Sequence, residues 1–172
     1  PSLFSYTSEA CDIGNSEDLN GEAKLHLSFF YNQLTRVVKP GRVICVHCMQ
    51  IPALRRNGEE STWDFRGTMI RIGKRAGLNY DGDWVITKNP QAQAIRTHSH
   101  KLLFVTLTRD RTVSMPAFVD YIIKFRVPGE NATPVDTANE IAREEWIEWA
   151  EGAWLWENIY ESDTLNTAEA KG

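Results

Sequence analysis

The sequence lacks an apolar run of the ~20 residues that a membrane-spanning helix needs, so no contact with a membrane is expected. The first residues, 1–6, have neither a basic start nor a long apolar stretch, so no signal peptide is expected. Only three cysteines occur, at positions 11, 45 and 48. An odd count without a dense framework argues against a secreted disulfide scaffold. These absences together predict a cytoplasmic protein.

Cys45 and Cys48, with His47 between them, superficially suggest a zinc site. The segment also has the pattern of a buried strand, in which successive side chains point to opposite faces of the sheet. No second pair of ligands follows at a suitable spacing. We therefore predict no metal site and interpret the cysteines as ordinary buried thiols.

The pattern of apolar residues predicts an α/β protein. Apolar positions recur at helical spacing over 22–38, Lys39-Pro40-Gly41 stops that helix, and a β-branched strand follows over 42–49. A second helix over 63–76 ends at Gly77 and leads into a strand over 78–87. A helix after Pro90 is expected to reach about Leu107. A further strand over 118–127 alternates Tyr121, Ile123 and Phe125 with the polar Asp120, Lys124 and Arg126.

The C-terminal part is expected to be an acidic, tryptophan-rich helical extension over 128–172, beyond a core domain at 1–127. Trp146, Trp149 and Ala153 share a helical stripe. Tryptophans in this arrangement pack into a core more often than they bind a base, and we expect core packing here.

The charges divide the sequence into a basic middle and an acidic remainder. Residues 39–126 hold 15 Lys and Arg against 7 Asp and Glu, which gives +8 within a chain of net charge −4. A surface that contacts phosphates needs such a basic segment. A solvated face of an ordinary globular protein would explain it equally well.

The run from Asp83 to Pro90 ends a strand at a Lys88-Asn89-Pro90 corner. The strand would deliver a cation and an amide to the edge of a sheet, where α/β folds bind ligands.

Ten short segments are spread in order over nearly the whole chain. They are SLFSYT (2–7), DIGN (12–15), VVKPGR (37–42), VHCM (46–49), DFRG (64–67), WVITKNP (84–90), DYIIKFR (120–126), PGEN (128–131), EEWI (144–147) and DTLN (163–166). No segment is specific alone, but the ordered set resembles one family, the β-class DNA amino methyltransferases of the phage type, which methylate adenine-N6 or cytosine-N4 and occur in restriction-modification.

The resemblance implies a partial Rossmann-like fold that uses S-adenosylmethionine, with a mixed sheet and helices on both faces. A DNA methyltransferase of this kind flips its target base out of the duplex, because the amino group is inaccessible inside the stack. The rim of the target-base pocket would be formed by His47, Trp84, Lys88 and Asn89. A DNA-facing recognition region over about 90–117 would bind double-stranded DNA through Arg96, His98, His100, Lys101, Arg109 and Arg111. For His47 and Trp84, packing within the core is the alternative, and for Arg109 and Arg111 a simple loop charge.

The sequence departs from the family in two motifs. It contains neither the catalytic tetrapeptide Asp/Asn/Ser-Pro-Pro-Tyr/Phe nor the Phe-x-Gly-x-Gly cofactor loop. No catalytic residue is therefore assigned, no cofactor-binding residue is named, and the chain alone is expected to be inactive. We expect a homo-oligomer or a complementary methyltransferase chain, since an incomplete sheet exposes edges that pair with other chains. The alternative is a non-catalytic DNA-binding or assembly module derived from a methyltransferase.

Overall fold

A computed structural model describes residues 22–52, 62–90, 93, 100–134 and 141–155 of the protein. Helices and strands alternate along much of the chain, as the sequence pattern predicts for an α/β protein. The elements are α1 (Glu22–Val37), β1 (Val43–Met49), β2 (Ile51–Pro52), β3 (Thr62–Trp63), α2 (Phe65–Arg75), β4 (Asn79–Thr87), a 3-10 turn (His100–Leu102), α3 (Phe104–Arg109), a second 3-10 turn (Arg111–Val113), β5 (Asp120–Arg126), α4 (Arg143–Trp149) and β6 (Ala153–Leu155). Among the described helices, none is long and apolar enough to cross a membrane.

Four strands form one sheet in the order β1-β5-β4-β6, and β2 and β3 form a separate antiparallel pair. Val127, just after β5, exchanges backbone hydrogen bonds with Gly41 and Arg42, just before β1, which makes β5 antiparallel to β1. Arg126 at the end of β5 donates from Nε to Oδ2 of Asp81 near the start of β4 at 2.9 Å, so β5 is also antiparallel to β4. Strand β6 is parallel to β4. The sheet is therefore mixed, and the predicted α/β class is confirmed.

The chain divides into two compact units. The first comprises Pro1–Val46, Arg66–Gly82 and Ile123–Glu140, and the second comprises His47–Phe65, Asp83–Ile122 and Ile141–Gly172.

The core of the first unit is built around Phe125 of β5, whose side chain is fully buried. The ring of Tyr31 from α1 meets it edge-on, with the two ring centroids 5.8 Å apart. Helix α2 approaches closely at Gly73, where an added Cβ would come within 2.6 Å of the Phe125 ring. The hydroxyl of Tyr31 also donates a hydrogen bond to the sulfur of Met69 on α2. The apolar faces of α1 and α2 and the buried face of β5 thus pack together at Phe125.

The Lys39-Pro40-Gly41 turn ends α1 as the sequence predicts. Gly41 has φ 73°, a conformation that L side chains rarely adopt. A Cβ at this position would also lie 2.5 Å from the backbone nitrogen of Asn131. The turn therefore requires glycine for both its backbone conformation and its contact with the segment after β5.

Two sequence predictions about helices are wrong. The helix expected to reach Leu107 is interrupted, because Leu103 is extended (φ −80°, ψ 138°) between the 3-10 turn and α3. The stripe through Trp146, Trp149 and Ala153 is not continuous, because α4 ends at Trp149 and Ala153 lies in β6. Trp146 and Trp149 are 58% and 51% exposed, so they do not pack into a core.

Candidate functional site

Three charged or polar side chains meet at one edge of the four-stranded sheet. Strands β1 and β4 are both antiparallel to β5, so their carboxyl ends lie at the same edge as the start of β5. His47 lies near the end of β1, Lys88 directly follows β4, and Asp120 is the first residue of β5. The carboxyl edge of parallel strands is where open α/β sheets bind ligands. We name this set of residues the edge cluster; all three belong to the second unit.

Asp120 is the centre of the edge cluster. Its Oδ2 lies 2.7 Å from Nε2 of His47 and also forms an ion pair with the ammonium of Lys88. Asp120 is only 3% exposed. The side chain of Lys88 is 19% exposed and that of His47 is 64% exposed. The cluster therefore consists of a buried carboxylate, a mostly buried cation and an accessible imidazole.

Burying a carboxylate is costly unless a cation and hydrogen bonds compensate it. Lys88 supplies the compensating charge, so the cluster has no net charge when His47 is neutral and carries +1 when His47 is protonated. Within the described part of the chain, Oδ1 of Asp120 is buried and accepts no hydrogen bond. Only one of the two carboxylate oxygens is thus used by the contacts that hold His47 and Lys88.

Trp84, predicted at the pocket rim, stacks on another tryptophan. Its ring and that of Trp154 on β6 have centroids 5.8 Å apart and planes inclined by 25°. Thr87 Oγ1 also donates a hydrogen bond to the carbonyl of Trp154 at 3.3 Å. These contacts attach β6 to β4, which is the packing role considered as the alternative for Trp84. Its role at a base pocket stays a prediction.

Asn89 is half-buried beside Lys88, and its carbonyl accepts a hydrogen bond from the backbone of Gln93 at 3.1 Å. The Lys-Asn-Pro corner therefore places Lys88 in the edge cluster and leads directly into a helical turn. Among the four predicted rim residues, the structure brings His47 and Lys88 together on one carboxylate.

The predicted DNA-contacting residues are described only in part. Arg109 ends α3 and Arg111 begins the following 3-10 turn, and both are exposed. Lys101 is half-buried, and its carbonyl accepts a hydrogen bond from Met115 at 3.3 Å. Arg96 and His98 lie outside the described residues, as does the side chain of His100.

Asp110 fixes the turn between Arg109 and Arg111. Its Oδ1 accepts hydrogen bonds from the side chain of Thr112 at 2.6 Å and from the backbone of Thr112 at 2.9 Å. These bonds favour the ionised carboxylate and lower the pKa of Asp110. The two arginines are therefore presented on either side of a structured turn.

Asp120 was missed by the sequence interpretation, which placed it with Lys124 and Arg126 on the polar side of its strand. Alternation correctly predicts that Ile123 and Phe125 are buried, but the carboxylate at the start of the strand is buried as well. Its partners come from positions 47 and 88, far away in sequence. A local pattern has no signal for such an ion pair.

Cys48 is buried as predicted, but Cys45 is exposed, so the prediction of a buried thiol is wrong for Cys45. The two residues lie three positions apart on β1, and a strand directs such positions to opposite faces. The described residues contain no group of three or more His, Cys, Asp or Glu that could hold a metal ion.

The described glycines do not form a cradle for S-adenosylmethionine, the cofactor that the resemblance implies. The space beside Gly41 is occupied by Asn131, and a Cβ on Gly129 would lie 2.8 Å from the Cβ of Pro40. Gly77 and Gly82 face open space but lie in separate elements, and the sequence has no Gly-x-Gly. These residues therefore do not fit the cofactor by themselves.

No family model matches the sequence, and no curated protein matches it. Solved structures of TTHA0409 from Thermus thermophilus, a protein provisionally described as a DNA modification methylase, are similar in fold. The structure complexed with S-adenosyl-L-methionine gives a TM-score of 0.59 at 12% identity and matches 77% of this chain. Another structure of the same protein gives 0.55 at 14% identity and matches 74%.

The chain spans about half the length of these solved structures, since the matches cover 49% and 47% of them. At this level of identity the similarity concerns the fold alone. It confirms the predicted methyltransferase-like α/β fold.

Proposed function

We propose that the chain is part of a DNA methyltransferase that transfers a methyl group from S-adenosylmethionine to the exocyclic amino group of adenine or cytosine. The β-class and phage-type assignments, and a place in restriction-modification, belong to this proposal. The observation that carries it is the edge cluster, which joins two predicted rim residues in a methylase-like fold. The cluster lies at the kind of sheet edge where open α/β folds bind ligands.

The edge cluster supports the proposal because a flipped base needs polar groups that recognise its hydrogen-bonding edge. Lys88 is fixed by Asp120, and His47 presents an accessible ring. Trp84 and Asn89 complete the proposed rim on the adjoining strand and corner. In this proposal the chain holds and orients the base, and it supplies no catalytic residue.

Methyl transfer would require additional segments, because the sequence contains neither the catalytic tetrapeptide nor the glycine loop. The proposed partner is a complementary chain or segment that bears both motifs. Strand β1 lies at one edge of the four-stranded sheet, and among the described strands it pairs only with β5. Val43 on this edge and Leu25 and Phe29 on α1 are exposed apolar residues. Unpaired edges and apolar surface of this kind favour association with another chain.

Complementation tests the proposed function. The full chain would be mixed with a polypeptide carrying the tetrapeptide and the Phe-x-Gly-x-Gly loop, and transfer of labelled methyl groups to duplex DNA would be measured. We expect no transfer by either component alone and transfer by the mixture.

The control for complementation is a mixture in which the added polypeptide carries an alanine in place of the tetrapeptide's first residue. This mixture should associate equally well and remain inactive. If the intact components form a stable complex that still transfers no methyl group to any duplex tested, the proposal of a divided methyltransferase is wrong.

Arg109 and Arg111 are expected to contact DNA phosphates within the proposed recognition region. Each phosphate contact releases counterions, so the logarithm of the DNA association constant decreases with the logarithm of the salt concentration. Replacing either arginine with alanine should make this slope less steep by about 1. The measurement is fluorescence anisotropy of labelled duplex DNA over a salt series. Arg75→Ala, at an exposed arginine that ends α2, is the control of equal charge change and should leave the slope unchanged. Equal slopes for all three variants would contradict the assignment of this surface.

A non-catalytic DNA-binding or assembly module is the second candidate. The exposed arginines around the Asp110 turn favour it, because phosphate binding needs no tetrapeptide or cofactor. Salt-sensitive DNA binding without complementation would select this candidate, whereas complementation would select the divided enzyme. The proposal of a homo-oligomer is tested separately by light scattering, in which a monomer at all concentrations would contradict it.

A further inference from the structure

We propose that Asp120 is a positioning residue that fixes His47 as a hydrogen-bond acceptor for an exocyclic amino group on a heteroaromatic base. The inference rests on the proposed function in one respect, which is that a nucleobase occupies the sheet edge. The protonation pattern of His47 depends only on the edge cluster and is tested without DNA.

The distance of 2.7 Å between His47 Nε2 and Asp120 Oδ2 determines which ring nitrogen bears the proton. An ionised carboxylate has only acceptor sites, so Nε2 must carry a hydrogen in this contact. In the neutral imidazole the second nitrogen, Nδ1, then has a lone pair and acts as an acceptor. Asp120 therefore selects the Nε2–H tautomer.

The burial of the cluster makes this selection effective. Asp120 is 3% exposed and cannot turn towards solvent without leaving the ammonium of Lys88, with which it shares Oδ2. The His47 side chain is 64% exposed, so a ligand can reach its ring. The carboxylate is fixed and the imidazole is accessible, which is the arrangement expected of a positioning residue and the group it orients.

Lys88 holds the carboxylate in place. Its ammonium forms an ion pair with the same Oδ2 of Asp120 that contacts His47, and it offsets the charge of that buried carboxylate. Asp120 is therefore kept as the acceptor for the Nε2–H of His47. Among the described residues, Asp120 from β5 and Lys88 after β4 are the charged groups that meet in this part of the cluster.

An acceptor at His47 Nδ1 distinguishes two classes of base. Adenine and cytosine carry amino groups, which donate hydrogen bonds, whereas guanine and thymine carry carbonyl oxygens at the corresponding positions. A lone pair on Nδ1 is attracted by the former and repelled by the latter. The contact therefore selects amino bases over keto bases and does not separate adenine from cytosine.

The tautomer is tested by NMR on the full chain with nitrogen-15 in its histidines. Long-range proton–nitrogen correlations near neutral pH should show His47 as the neutral Nε2–H form. His47→Gln identifies the signal, and His26→Gln, on α1, is the control that should leave the signal in place. A His47 that is in the Nδ1–H form or doubly protonated above neutral pH would overturn the proposal.

Two variants test the roles of Asp120 and Lys88 in selecting the tautomer of His47. Asp120→Asn should mix the tautomers, because an amide can either donate to or accept from Nε2. Lys88→Met should weaken the selection of the Nε2–H form, because Asp120 loses the ammonium that holds its Oδ2 in place. If Asp120→Asn is too unstable to study, the Lys88→Met result decides: an unchanged His47 signal would overturn the proposed division of roles.

Ligand selection is tested with two matched nucleotide pairs, adenosine against inosine monophosphate and cytidine against uridine monophosphate. The members of each pair differ by an amino or a carbonyl group, and the displacement of the His47 signal measures binding. We expect the amino member to bind about tenfold or more tightly, and His47→Phe to remove this preference. Equal binding within each pair, or no displacement of the signal by any of the four, would overturn the ligand assignment. Failed complementation with an intact preference would instead count against the divided enzyme alone.

Discussion

Replacing Phe125 with alanine is expected to lower the free energy of unfolding by about 3–5 kcal/mol, because it removes a fully buried ring from a packed core. The ring contacts Tyr31 on α1 and Tyr80 on β4, at centroid distances of 5.8 and 6.1 Å. It also fills the space opposite Gly73 on α2. Because two helices and a strand meet at this ring, the cavity cannot close without moving one of them.

Urea denaturation measures the effect of Phe125→Ala as a decrease in the midpoint concentration. Phe29→Ala is the matched control, since Phe29 on α1 is 66% exposed and its truncation should change stability by no more than about 0.5 kcal/mol. A loss of less than about 1 kcal/mol for Phe125→Ala would show that this ring does not organise the core.

Asp120→Ala is expected to destabilise the protein by about 3 kcal/mol, because it leaves the mostly buried ammonium of Lys88 without its partner. Most of this loss comes from the uncompensated charge rather than from the attraction itself. The double variant Asp120→Leu with Lys88→Met should therefore recover much of the lost stability.

The control for Asp120→Ala is Asp81→Ala, which breaks the Asp81–Arg126 ion pair in the first unit. Its Nε–Oδ2 distance is 2.9 Å, but 42% of the Arg126 side chain and 25% of the Asp81 side chain are exposed. Exposed pairs contribute less than about 1 kcal/mol, so this variant should be nearly neutral. Equal losses for the two alanine variants in urea denaturation would mean that burial of Asp120 does not govern the energetics of the cluster.

The elements that the sequence predicted well are those whose signals are local. The helical spacing before Lys39, the Pro40-Gly41 stop and the β-branched run after it identify α1 and β1 to within about a residue. The alternation that buries Ile123 and Phe125 likewise identifies β5. In each case the residues that specify the element lie inside it or beside it.

The elements that the sequence did not predict depend on distant partners. The spacing of Ala153 from Trp146 and Trp149 predicts a helix, but Ala153 lies in a strand. It is extended because β6 pairs with β4 and Trp154 stacks on Trp84. The burial of Asp120 depends on Lys88 and His47, which no local pattern connects to it. The two predicted rim residues that do meet, His47 and Lys88, were each identified separately, and the carboxylate that joins them is visible only in the fold.

The pairing of β4 with β6 has a consequence expected for folding. Val85 of β4 aligns with Ala153, so this parallel ladder joins residues far apart in the chain and closes a long loop. Contacts of such high sequence separation form late and slow the overall reaction. During synthesis, β4 leaves the ribosome well before its neighbour, and its outer side remains open until residue 155 has been made. We therefore expect this side of β4 to be an unpaired edge in the nascent chain until β6 docks on it.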